Sequence, residues 1–232
     1  MMSAGSTREE EHQGMQLTDY SRLCIAAHGV LMDRDSTILE GLSPLLKQMR
    51  DPPAPDRVLA DYFKALHALT DADMNTVSAH CVVYCALAGE WGFESDWQAG
   101  IAFAGKVDAG TLYEDAPGAI HYLRKFYRLS VVSSLDEHEF SALDKRIGLA
   151  THERLATGSF VAARAAVHEI VKDSEVLLLS AGPAPVSCRA GYCRITRSRP
   201  GLTPLDVQAT WQFTSLSDFI GAHQLALRRE IL

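Results

Sequence analysis

Three short apolar runs most narrowly limit what this chain can fold into: Leu23-Cys24-Ile25-Ala26-Ala27, Leu129-Ser130-Val131-Val132-Ser133 and Val176-Leu177-Leu178-Leu179. Each has the length of a strand and the composition of a buried one. From Tyr113 onward, segments with helical spacing alternate with these runs, which is the pattern of a parallel sheet with crossover helices. Asp115-Ala116-Pro117 reads as a helix start with Pro in the first turn, and Ile120, Leu123 and Tyr127 carry its apolar face. Ser134-Leu135-Asp136-Glu137 has the form of a capping box opening a helix through Phe140, Leu143 and Ile147, which Gly148 would close. Phe160, Val167 and Ile170 mark a further helix. Tyr192 to Thr196 reads as a strand, Val207 to Phe213 as an edge strand, and 217–227 as a final helix.

The first apolar run behaves differently. It turns at His28-Gly29 into a long helical region instead of a single crossover. A helix is expected from Ile38 to about Met49, ended by Asp51-Pro52-Pro53-Ala54-Pro55. Val58, Leu59, Tyr62, Phe63, Leu66 and Leu69 then keep helical spacing. So do Val77, Cys81, Val82 and Cys85, and after them Trp97 and Ile101, with Ser95 placed to cap the last of these helices. The expected organisation is a charged, disordered tail over 1–15, a parallel-sheet core formed by 16–37 and 108–232, and a helical cap over 38–107.

Composition narrows the function classes. A net charge of -7 with no basic stripe argues against general nucleic-acid binding. No apolar run approaches the roughly 18 residues of a membrane span, and the first residues lack the apolar centre of a signal peptide. Five cysteines without framework spacing suggest reduced thiols and a cytoplasmic location. Cys81 and Cys85, four apart, and Cys188 and Cys193, five apart, lack the partners that a zinc site needs. They read as small buried hydrophobes.

The run Ile25-Ala26-Ala27-His28-Gly29-Val30-Leu31-Met32-Asp33, followed by Thr37-Ile38, resembles the opening motif of the haloacid dehalogenase superfamily, in particular its 2-haloacid dehalogenase branch. That motif has the form F-D-x-Y-G-T-L-x-D, and Gly29, Leu31, Asp33 and Ile38 fit it. The helical insert lies where that branch carries its cap. The order of proline, helix, strand and serine ending at Ser133-Ser134 is similar as well. The resemblance implies an α/β fold with a Rossmann-like parallel sheet and a cap inserted after the first strand. It also implies a homodimer, to which Trp91, Phe93 and Trp97 would contribute if they do not simply pack the cap.

The departures fall on the chemistry. The resemblance assigns the nucleophilic Asp to Ala26 and the second Asp of phosphatase members to His28. It assigns the charge-stabilising Lys of a K-P-D-P run to Val161, in Ser159-Phe160-Val161-Ala162-Ala163. The acidic residues after the fourth strand are replaced by Ser180-Ala181-Gly182-Pro183-Ala184-Pro185, so no carboxylate is offered to Mg²⁺. Of the four catalytic motifs only Ser133 survives in kind. Losing an activated nucleophile alone costs on the order of 10⁴ to 10⁶ in rate. The expectation is therefore a protein without the family's Asp-nucleophile hydrolysis, without a cofactor or metal, and with a binding or regulatory role. Ser133, Ser134 and the amides of the following helix would hold a small anion. Two alternatives keep an active hydrolase. In one, Asp33 and Asp35 supply a D-x-D-x-T motif in a shifted frame. In the other, His28 as a base and Ser133 as a hydroxyl substitute for the lost groups.

Overall fold

A computed structural model describes residues 15–69, 74–94, 96–185, 188–197 and 209–231. Among the described residues six strands form one sheet: β1 (Arg22–Ala26), β2 (Arg128–Ser133), β3 (Arg154–Ala156), β4 (Val176–Ser180), β5 (Gly191–Ile195) and β6 (Trp211–Phe213). Their order is β3-β2-β1-β4-β5-β6, and every pairing is parallel. The parallel sheet expected from the three apolar runs is thus formed, in the Rossmann-like arrangement that the resemblance implies. β1 pairs with β2 on one side and β4 on the other, so Leu23, Cys24 and Ile25 are wholly buried.

Side-chain alternation along these strands divides the core in two. Leu23, Ile25, Leu129, Val131, Leu177 and Leu179 point to the face covered by α5 (Ala116–Leu123), α6 (Glu137–Ile147) and α8 (Leu216–Ile231). Cys24, Val132, Val176 and Leu178 point to the opposite face, where α7 (Phe160–Ile170) supplies Ala163, Ala166, Val167 and Ile170. Burying a side chain of this size contributes roughly 1.5–3 kcal/mol, which explains why strands so short are held in register.

Between the turn that follows β1 and the start of α5, the described residues form four helices: α1 (Arg34–Leu46), α2 (Pro55–Ala68), α3 (Thr76–Glu90) and α4 (Trp97–Ala109). They enclose an apolar cluster of their own, with Ile38, Leu42, Val58, Tyr62, Val83, Leu87 and Phe103 at its centre. α1 starts a turn earlier than the apolar periodicity implies, because the Asp33 side chain accepts from the Ser36 amide and caps it. Gly41 permits close packing here, since a Cβ on it would lie 2.6 Å from the Phe103 ring. Trp91 and Phe93 pack against this cluster, while Trp97 is half exposed. Ser95 lies outside the described residues, and Asp96 caps α4 through the Gln98 amide. The first 14 residues of the expected tail and 207–208 of the expected edge strand also lie outside them. None of the five cysteines is joined in a disulfide, and burial pushes the Cys24 thiol up to about 12, far from a reactive thiolate.

Candidate functional site

The sheet's strand order reverses between β1 and β4, and in open parallel sheets the crevice beyond the carboxyl ends at that point is where ligands bind. β1 ends at Ala26, opposite Val132 of β2. The position that the resemblance gives to the nucleophile therefore stands at the strand end and carries a methyl group. Asp33 does not end the strand; it caps α1, and its amide donates to Thr111 O at 2.6 Å. The shifted frame is not the one that the chain adopts, because the turn after Ala26 closes before Asp33 is reached.

That turn is built on Gly29. Leu31 N donates to Ala27 O at 2.9 Å and Gly29 N to Met32 O at 2.9 Å. Gly29 has φ +83°, a conformation that side-chain-bearing residues rarely adopt. A Cβ there would also lie 2.6 Å from the Ala181 Cβ, just beyond β4. The loops after β1 and β4 thus meet closely where the crevice would open. The missing Cβ of Gly29 is what lets the turn approach the Ala181 methyl group so closely.

The turn sets His28 against the end of β2. Its Nε2 lies 3.3 Å from Ser133 Oγ and 3.2 Å from Ser134 Oγ. Both serines are almost fully buried. Ser133 Oγ also accepts from the Leu135 amide at 3.1 Å. The capping box expected at Ser134 forms two residues later instead. Asp136 accepts from Glu139 N at 2.8 Å, and Glu139 accepts from Asp136 N at 3.1 Å. This correction matters chemically, because it leaves the Ser134 hydroxyl for His28. It also occupies two of the amides expected to hold an anion.

Burial, followed by the nearby Arg34 charge and by His80, pushes His28 down to about 3. Near neutral pH the ring is therefore uncharged. Its Nδ1 is buried and has no hydrogen-bond partner among the described residues. Of the remaining positions singled out in the sequence, Val161 lies in the first turn of α7 and is exposed. Its neighbour Phe160 packs edge-on against the His80 ring.

His80 belongs to a group that sequence reasoning did not find. It lies on α3, one turn beyond Thr76, so both share a helix face. The Thr76 hydroxyl donates to Ser134 O at 2.6 Å, and its amide donates to Gly158 O at 3.2 Å. The helical layer is thereby docked on the loops after β2 and β3. Tyr62 Oη lies 2.5 Å from His80 Nδ1, and His80 Nε2 lies 3.3 Å from Asp108 Oδ1. Burial raises Tyr62 well above the usual phenol range, so the phenol is assigned as the donor to His80 Nδ1. Arg34 stands nearby, 3.6 Å from Asp35 and with its guanidinium 4.4 Å over the Phe63 ring. The signal in the sequence was faint: Thr76, His80 and Asp108 are isolated polar residues on otherwise apolar helix faces.

The fold family implies Mg²⁺ in its phosphatase members. The residues at these strand ends do not fit the ion: Ala26, His28, Ala181 and Gly182 offer no hard carboxylate oxygen. Among the described residues no group of three or more His, Cys, Asp or Glu side chains is arranged to hold a metal.

No protein-family model matches the sequence, and no curated protein matches it. Solved structures do. The L-2-haloacid dehalogenase of Xanthobacter autotrophicus is 15% identical with a TM-score of 0.65, over 88% of this chain and 98% of that one. The L-2-haloacid dehalogenase PA0810 is 17% identical with a TM-score of 0.63, over 90% and 99%. The putative HAD-hydrolase YfnB of Bacillus subtilis, whose structure holds magnesium, is 15% identical with a TM-score of 0.59, over 87% and 97%. Nearly the whole length of each of these proteins is matched, helical layer included. The chain therefore has the haloacid dehalogenase-like fold, in the form found in L-2-haloacid dehalogenases.

Proposed function

We propose that this protein has kept the haloacid dehalogenase-like frame without its Asp-nucleophile hydrolysis, and that it works by binding a small molecule at the seam between sheet and helical cap. The observation that carries this reading is Ala26 at the carboxyl end of β1. A methyl group neither attacks carbon or phosphorus nor ionises. Val161 at the position of the stabilising lysine, and a donor set unsuited to Mg²⁺, remove the groups that would assist another attacker. The same reading takes the chain as a cytoplasmic homodimer, as in the 2-haloacid dehalogenases that it resembles.

One observation favours a second reading, an active hydrolase with substitute groups: His28 Nε2 is within reach of two hydroxyls. Three features weigh against it. A shift from 6.5 to about 3 weakens the imidazole as a proton acceptor by on the order of 4–5 kcal/mol. Among the described residues no acceptor orients its Nδ1, which a working base requires. Both serines are closed off from solvent. Binding is thus the better-supported role.

The test is a turnover assay on the full chain with 2-chloropropionate and with p-nitrophenyl phosphate plus Mg²⁺. The expected result is no chloride or phenolate release above the protein-free blank. Saturable release that disappears in Ser134→Ala or His28→Ala would replace this reading with the second.

A further inference from the structure

Asp108 is the most poorly satisfied group at the seam. Its side chain is 5% exposed, and neither carboxylate oxygen accepts a hydrogen bond among the described residues. His80 Nε2 lies 3.3 Å from its Oδ1. A carboxylate has about four lone-pair sites, and leaving them empty in a buried place costs several kcal/mol. A chain of contacts ties this group to the crevice. His28 Nε2 meets Ser134 Oγ, Ser134 O meets Thr76 Oγ1, and Thr76 and His80 lie one turn apart on α3. The effect of His80 on the titration of His28 agrees with that closeness.

Carboxylates gather here. Asp35 lies 3.6 Å from Arg34, and Asp108 is close enough to Glu139 to help raise that carboxyl after its burial. At the nearby start of α6, the amides of Asp136 and Glu139 are bonded to each other's carboxylates. An anion would meet those acids rather than free N–H groups.

We propose that Asp108, backed by His80 and Tyr62, is the anchor for a compact cationic group with N–H donors, an ammonium or amidinium, carried by a small molecule entering between the helical layer and the sheet. This deepens the binding role proposed above and rests on it. The site thereby selects the opposite charge from the small anion expected from the sequence. Donors on the ligand fill the empty lone pairs of Asp108, and charge-assisted bonds of this kind are among the stronger ones. Because Asp108 is buried, entry requires the layers joined at Thr76 to part.

The experiment titrates the full chain with acetamidinium chloride, methylammonium chloride and sodium acetate at constant ionic strength. It reads the His80 and His28 ring resonances by NMR and the melting temperature. The expected result is a saturable shift at both rings and a raised melting temperature with one or both cations and not with acetate. Asp108→Asn should weaken that binding by at least about tenfold. Shifts produced by acetate, or no saturable ring shift with either cation, overturn the proposal. The wild-type ring shifts decide the matter even if Asp108→Asn does not fold. Turnover is read in a separate assay, so hydrolysis without cation binding, and cation binding without hydrolysis, remain distinct outcomes.

Discussion

His28 is the residue at which sequence and surroundings most change each other's meaning. An imidazole at a strand end, beside two serines, has the parts of a catalytic pair. Its surroundings hold it uncharged, with the pKa pushed down to about 3 by burial first and by Arg34 and His80 after that. The consequence for stability has a definite sign. The unfolded chain takes up a proton at this residue near pH 6.5, and the folded chain does not until about pH 3. Between those values the unfolded state holds more protons, so the stability due to His28 is fully present above pH 6.5 and declines as the pH falls. The expected loss across the window is on the order of a few kcal/mol, read as a falling urea midpoint, and His28→Gln should flatten that slope. An NMR titration of the His28 ring with a midpoint near 6.5 would contradict this.

At the scale of elements, the start of α6 separates what periodicity reveals from what it hides. Asp136→Ala should cost about 1 kcal/mol through loss of the N-cap. Ser134→Ala should leave the helicity of α6 intact and instead remove one of the two hydroxyls that His28 Nε2 faces. Circular dichroism and urea denaturation of the two variants check this; equal loss of helicity would place the cap at Ser134 after all. The apolar faces of the strands and helices were legible from the sequence because burial repeats at fixed periods. Gly148 was legible because helix ends favour the left-handed conformation, and it has φ +72°. The cap residue was not, since serine, aspartate and a glutamate three residues on all satisfy the same rule within one turn. Ala26, His28 and Ser133 were found because a motif specified their positions. Tyr62, His80 and Asp108 are separated by 18 and 28 residues along the chain, and only packing α2, α3 and α4 together makes them neighbours.

At the scale of the molecule, the helical layer and the sheet have separate apolar clusters, and the contacts of Ser134 with His28 and Thr76 lie where the two meet. Among the described residues no helix is long and apolar enough to cross a membrane. The proposed homodimer would draw on the outward face of α4, where Trp97 and Ile101 are 51% and 42% exposed and lie one turn apart. Sedimentation of the full chain should give a dimer that Trp97→Glu dissociates, and a monomeric wild type would remove this part of the proposal. The frame itself is that found in L-2-haloacid dehalogenases, and the end of β1 carries Ala26. The most direct measurement of the proposed loss of hydrolysis is a single-turnover experiment, with protein in excess over 2-chloropropionate or p-nitrophenyl phosphate and the intact protein mass read alongside product. The expected result is no stoichiometric chloride or phenolate and no added mass; a product burst with a covalent adduct on His28 or a serine would contradict it.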